Sequence, residues 1–219
     1  MSAARNTRRS GPPLADRAYD GLRDRIVTLA IPPGGPINED ALRRELGLGR
    51  TPLREAIKRL ALENLVVVLP RRGTFASQIN IADLTAISDV RAVLEGHAAF
   101  RAAELLSEED ELAVLALVAE LEEARTIEHP EALMALDARV HRFVHHAAAN
   151  PYLEETLGRY FNLSLRIWYL VLARLPHLGA RVHDHADLLE AIAERDPFRA
   201  RVVMVEHIET FADEIRGVL

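Results

Sequence analysis

The 219-residue chain is 49% hydrophobic and carries 27 Lys and Arg against 33 Asp and Glu, enough apolar material for one large core or two small ones. It has no cysteine, which excludes a disulfide framework and a thiolate metal site and is compatible with a reducing cytoplasm. No apolar run approaches a membrane span and the polar N-terminus shows no signal peptide, so the expectation is a cytoplasmic protein with no membrane partner. The net charge of −6 hides a split: residues 1–78 hold 14 Lys and Arg against 8 Asp and Glu, and the remainder holds 13 against 25. All nine histidines lie at or beyond His97. Such asymmetry points to a basic nucleic-acid module joined to an acidic one.

Residues 1–13 carry Arg5, Arg8 and Arg9 among Ser, Gly and Pro without periodicity, and read as a disordered basic tail. A first helix is expected over 15–30, with Leu14, Ala18, Leu22, Ile26 and Leu29 on one face and Pro32-Pro33-Gly34-Gly35 ending it. Leu42 and Leu46 mark a short helix that Gly47-Leu48-Gly49 breaks. A second helix starts at Arg50-Thr51-Pro52, where proline suits the first turn. Leu53, Ile57 and Leu60 form its buried stripe, while Arg50, Arg54 and Lys58 recur every four residues on another face. The β-favouring run 66–69, the turn Pro70-Arg71-Arg72-Gly73 and a return over 74–76 then predict a hairpin tipped with two arginines. Two short helices around a glycine turn, a cationic second helix and a hairpin wing make a winged helix-turn-helix over 14–76 that reads double-stranded DNA. Arg50 and Arg54 are the best base or phosphate contacts, with Thr51 and Lys58 beside them. Arg72 and Gly73 would approach the minor groove. Gly47-Leu48-Gly49 as part of a phosphate loop lacks the preceding strand and the other glycines, and is read as the turn.

After a linker over 77–80 no strand is expected, and helices are read over 81–106, from Ser107-Glu108-Glu109-Asp110 to about 127, and over 130–150, 151–175, 179–194 and 197–218. Residues 81–219 therefore form an all-α bundle of six helices. Asp137 and His141 share one helix face, and His185 and His207 stand on two later helices. Three imidazoles and a carboxylate suit a borderline divalent ion such as zinc, nickel or manganese. An Asp–His pair four apart is also a common exposed pair on a helix, and His183 rivals His185. Leu188, Leu189 and Ile192 place the His185 side near the core. Arg91, amid Ala86, Ile87, Val90 and Leu94, could clamp a carboxylate, or could pair internally with Glu95 four residues on. Trp168, Tyr169 and Phe161 could stack on a ligand but suit the core equally.

The run Gly47 to Ala56, with Leu60, Leu65, Pro70, Arg72-Gly73 and the upstream Pro33-Gly34 and Ile37-Asn38-Glu39, resembles the winged helix of the GntR superfamily of bacterial transcription regulators. Gly49 stands where that family usually has Ser or Thr, and Asp40 where some members place a basic DNA contact. Asp137 and His141, then Asn150-Pro151-Tyr152-Leu153, then His185 and His207, resemble the FadR-type C-terminal ligand domain. The resemblance implies that Asp137, His141, His185 and His207 bind a metal, and that Arg91 holds the acid group of an effector. It also implies a homodimer, a repressor released from an inverted-repeat operator by a small carboxylate effector. The reading from another class is a metal-dependent enzyme using the three-His, one-Asp centre. Against it, no general base stands beside the tetrad in the sequence.

Overall fold

The computed structural model describes residues 12–126, 129–175 and 178–218. Most of the basic tail expected over 1–13, and His177, lie outside the described residues. The chain divides into two units, Met1–Ile79 and Asn80–Leu219, with the division inside the segment read as a linker.

In the first unit α1 (Leu14–Val27), α2 (Glu39–Leu46) and α3 (Arg50–Leu62) are followed by strands β1 (Val66–Leu69) and β2 (Gly73–Ala76). Helix α1 stops three residues earlier than its apolar stripe predicts. Leu29 continues the stripe but adopts φ 61°, and the Thr28 and Ile31 N–H groups turn back to the carbonyls of Asp24 and Arg25. Ala18, Leu22 and Ile26 are buried, whereas Leu14 is exposed. Gly47, with φ 64°, ends α2 in the left-handed conformation that glycine adopts without a Cβ penalty. Asn38 caps the start of α2 by accepting from the Ala41 N–H. The strands pair antiparallel with Leu69 opposite Gly73, and Pro36 bridges to Phe75. The Thr74 hydroxyl donates to Glu39 at 2.8 Å, and the Ile37 N–H donates to the Thr74 carbonyl at 2.8 Å, so the wing is tied to the start of α2. Tyr19 fastens α1 to α3: its hydroxyl donates to Glu63 at 2.7 Å, and the Arg59 guanidinium lies 4.1 Å from its ring centroid.

The second unit contains α4 (Asp83–Leu105), α5 (Glu108–Glu123), α6 (Pro130–Ala147), α7 (Pro151–Val171), α8 (Leu178–His183), α9 (His185–Ala193) and α10 (Pro197–Val218). Short 3-10 turns follow α5 and α7. Helix α4 buries Ala98, Ala99, Ala102 and Ala103 completely, and α6, α7, α9 and α10 pack around it. Small residues let these backbones come close: a Cβ on Gly96 would stand 2.7 Å from Val205 of α10. Ser107 and Asp110 form a reciprocal capping box at the start of α5. Pro130 and Pro151 occupy first-turn positions of α6 and α7, and Asn150 caps α7 through the Tyr152 and Leu153 N–H groups.

The helix expected over 179–194 is instead two, broken at Asp184. At the break the His185 ring turns inward and its Nδ1 lies 3.1 Å from the Val182 carbonyl, which accepts from it. The local apolar pattern runs through the break, so periodicity alone predicts one helix.

Candidate functional site

In the first unit the exposed face of α3 is set apart by what its cations do not touch. Arg23, Arg25, Arg43 and Arg59 each pair with a carboxylate within the unit. Arg50, Arg54, Lys58 and Arg72 are exposed, and none has a side-chain hydrogen bond or ion pair among the described residues. Thr51 and Gly73 are exposed as well. Arg50 and Arg54 line one groove with Asp40 and Arg43 of α2 and Gly73 and Thr74 of the wing. The structure therefore gathers most of the residues predicted to contact DNA along one helix and the hairpin beside it. Asp40 pairs with Arg43 at 2.7 Å, which offsets its negative charge in a cationic groove. Gly49 offers no side-chain cap, so the first-turn N–H groups of α3 have no side-chain partner there. Those N–H groups and the helix dipole favour an anion such as a phosphate.

In the second unit Asp137 and His141 of α6, His185 at the start of α9 and His207 of α10 converge. Asp137, His141 and His185 are at most 2% exposed and His207 is 6% exposed. Oδ1 of Asp137 lies 3.8 Å from His141 Nε2, 3.7 Å from His185 Nε2 and 3.9 Å from His207 Nε2. His141 Nε2 and His207 Nε2 are 3.4 Å apart. The carboxylate–imidazole separations are too long for good hydrogen bonds. Ligand atoms around a tetrahedral ion with bonds of about 2.0–2.1 Å stand roughly 3.3–3.4 Å apart, so contraction by about half an ångström would close the cage. His183, the rival on the same stretch, is only half-buried and lies at the end of α8.

The donor set fits a cation on a second ground. Asp137 Oδ2 and His185 Nε2 are buried without a hydrogen-bond partner. Burial raises the Asp137 carboxyl above its ordinary value, against the opposing pull of His141 and Arg91. Burial likewise pushes the His185 imidazole down to about 3 and holds His207 well below its usual value. Neutral imidazoles with lone pairs turned toward a buried carboxylate are what a divalent ion requires. The outer contacts hold two of the rings in place. His141 Nδ1 is 2.5 Å from Glu95 Oε2, and His185 Nδ1 donates to Val182, so both present Nε2 to the centre.

Arg91 and Glu95 do pair, Nε to Oε1 at 2.5 Å, and both are buried. The pair leaves Arg91 Nη2 without a partner, and the guanidinium lies 5.0 Å from the Phe161 ring centroid and 4.9 Å from that of Trp168. Phe161 and Trp168 thus belong to the wall of the site, Phe161 packing 4.9 Å from the His141 ring. Glu95 also has His145 Nε2 at 3.1 Å. Burial would raise the Glu95 carboxyl, but Arg91, His141 and His145 outweigh it and hold it well below the carboxylate range. Glu95, His141 and His145 are themselves close enough to hold an ion. The Arg91 guanidinium already bonded to Glu95 opposes a second cation there. Sequence reading weighed Glu95 only as a partner for Arg91 and missed its hold on His141. The available signal was an arginine–glutamate pair four apart amid apolar residues.

A winged helix with unpaired cations, followed by an all-helical unit with a buried metal-type centre, is the arrangement of a DNA-binding transcription regulator. Residues 14–76 match the family described as bacterial regulatory proteins, gntR family, and residues 86–210 match the FCD domain. The chain belongs to the GntR family of regulators and carries an FCD domain as its second unit. Its relatives are transcription regulators and not enzymes. It is 25% identical to the HTH-type transcriptional repressor RspR of Escherichia coli K12, over 94% of this chain and 90% of that protein. It is 29% identical to the Nta operon transcriptional regulator of Aminobacter aminovorans, over 88% of this chain and 90% of that protein. Among solved structures, that of Escherichia coli McbR/YncC matches with a TM-score of 0.82 at 20% identity, covering 94% of this chain and 99% of that one. That likeness concerns the fold. No helix among the described residues is long and apolar enough to cross a membrane.

Proposed function

We propose that the chain is a cytoplasmic, homodimeric, ligand-responsive repressor that leaves an inverted-repeat operator when a small organic acid binds in the helical unit. The observation that carries the reading is the buried tetrad: the Asp137 carboxylate faced by the Nε2 atoms of His141, His185 and His207. Asp137, His141, His185 and His207 would hold a zinc, nickel or manganese ion. When bound with a coordination number above four, such an ion would offer its remaining positions to a carboxylate oxygen. Arg91 would orient the acid through its unpartnered Nη2, while Phe161 and Trp168 keep water away from it. Arg50, Thr51, Arg54 and Lys58 on α3 would enter the major groove, and Arg72 and Gly73 of the wing would follow the backbone into the minor groove. Two copies related by a two-fold axis would read two half-sites. The repressor named among the relatives supports repression as the mode of action.

Selection of duplexes from a random-sequence pool by the metal-loaded full chain tests the DNA part of this reading. The expected consensus is an inverted repeat with half-sites spaced by about one helical turn, 10 to 10.5 base pairs, or a multiple of it. A direct repeat, or a single half-site bound by a monomer, would contradict the symmetric dimer.

A further inference from the structure

The charges sealed around the tetrad restrict which acid can enter. Asp137, Glu95 and Arg91 are each at most 2% exposed, and Arg91 is already bonded to Glu95. The other titratable group against Glu95 is His145 at 3.1 Å, and burial lowers its imidazole below the ordinary value. The apolar wall comes from Phe161 and Trp168 of α7 and Phe211 of α10. Arg166 is also buried, but it sits five residues from Phe161, about 140° round the helix and off the face that meets His141. Histidines that bind through Nε2 remain neutral. Two carboxylates and one guanidinium then leave a single positive charge uncompensated once a divalent ion is in place.

An uncompensated charge in such surroundings is costly, and so is one charge too many of the opposite sign. We propose that Glu95 sets the charge of the effector: the site takes a monoanionic carboxylate and discriminates against a dianion. The inference rests on the acid-binding reading above and adds the ligand's charge class to it. Without Glu95 the same cage would carry two positive charges and would suit a dicarboxylate. Glu95 touches the metal only through His141, so it acts as a positioning and charge-setting residue. Arg91 Nη2, buried without a partner, agrees with the recognition of one carboxylate.

The test compares succinate with monomethyl succinate, ligands of near-equal shape that differ by one charge. Both are titrated into the full chain loaded with zinc, nickel or manganese, with calorimetry and melting temperature as readouts and metal content measured in every sample. The wild type is expected to bind the monoester at least roughly tenfold more tightly than succinate. Glu95→Gln keeps an acceptor beside His141 and removes the charge, so the order should reverse. Succinate binding the wild type as tightly as the monoester, or more so, overturns the proposal, and that comparison stands even if the variant does not fold. A wild-type preference that persists unchanged in metal-loaded Glu95→Gln overturns the assignment to Glu95. Failure of the metal-loaded wild type to bind a panel of acids of either charge removes the acid-binding reading itself, and the charge rule with it.

Discussion

Stripped of metal and then titrated with zinc, nickel or manganese, the chain is expected to melt at a markedly higher temperature. The ligand atoms come from α6, α9 and α10, so an ion ties three helices together and binds only the folded state. At a free ion concentration of about 1,000 times Kd, mass action adds about 4 kcal/mol, which for a domain of this size corresponds to a rise on the order of 10 °C. His207→Ala should remove most of that rise, because it opens the cage on the α10 side and takes away one Nε2. His146→Ala should leave it intact. The His146 side chain is 74% exposed and faces Glu154 at 3.3 Å, outside the cage. Differential scanning of stripped and loaded samples, with metal content measured alongside, reads both. A full shift and wild-type metal content in the His207 variant would remove the tetrad from the account.

The second large effect is on DNA. Arg54→Ala is expected to lose roughly 1–3 kcal/mol of specific affinity, the range for a bidentate base contact, with the melting temperature nearly unchanged. The expectation of unchanged folding follows from exposure and from the absence of any partner for Arg54 among the described residues. Arg59→Ala, on the same helix, should behave in the opposite way. Arg59 pairs with Asp16 at 2.7 Å and covers the Tyr19 ring, so its loss should loosen α1 from α3 and lower the melting temperature first. Lys58→Ala should weaken binding evenly across sequences and reduce the salt dependence by about one counterion. Footprinting titrations at two salt concentrations separate these outcomes. Unchanged operator affinity in Arg54→Ala would take that side chain off the reading surface.

The elements legible in the sequence are those whose signals are local. Leu53, Ile57 and Leu60 announce α3, Gly47 announces the turn before it, and Pro130 and Pro151 mark helix starts that the structure repeats. The end of α1 was not legible, because Leu29 extends the apolar stripe while its backbone has already turned to φ 61°. Nor was the break at Asp184, since an apolar period carries no record of His185 folding back on Val182. In the site, the meeting of Asp137 with His141 follows from spacing along one helix. The approach of His185 and His207 depends on how α9 and α10 pack, which no local pattern contains; the family resemblance supplied it. The hold of Glu95 on His141 crosses from α4 to α6 over 46 residues and became visible only in three dimensions.

Occupancy of the buried site is expected to govern affinity for DNA, and linkage makes this directly measurable. The decisive measurement is fluorescence anisotropy of the selected duplex with the metal-loaded full chain, with and without an acid that raises its melting temperature, in wild type and in Asp137→Ala. The acid is expected to weaken DNA binding by the wild type by roughly 5–150-fold, the usual range of coupling, and to leave the variant's affinity unmoved. An acid that stabilises the wild type yet leaves its DNA affinity unchanged, or that releases the Asp137 variant equally well, would contradict it.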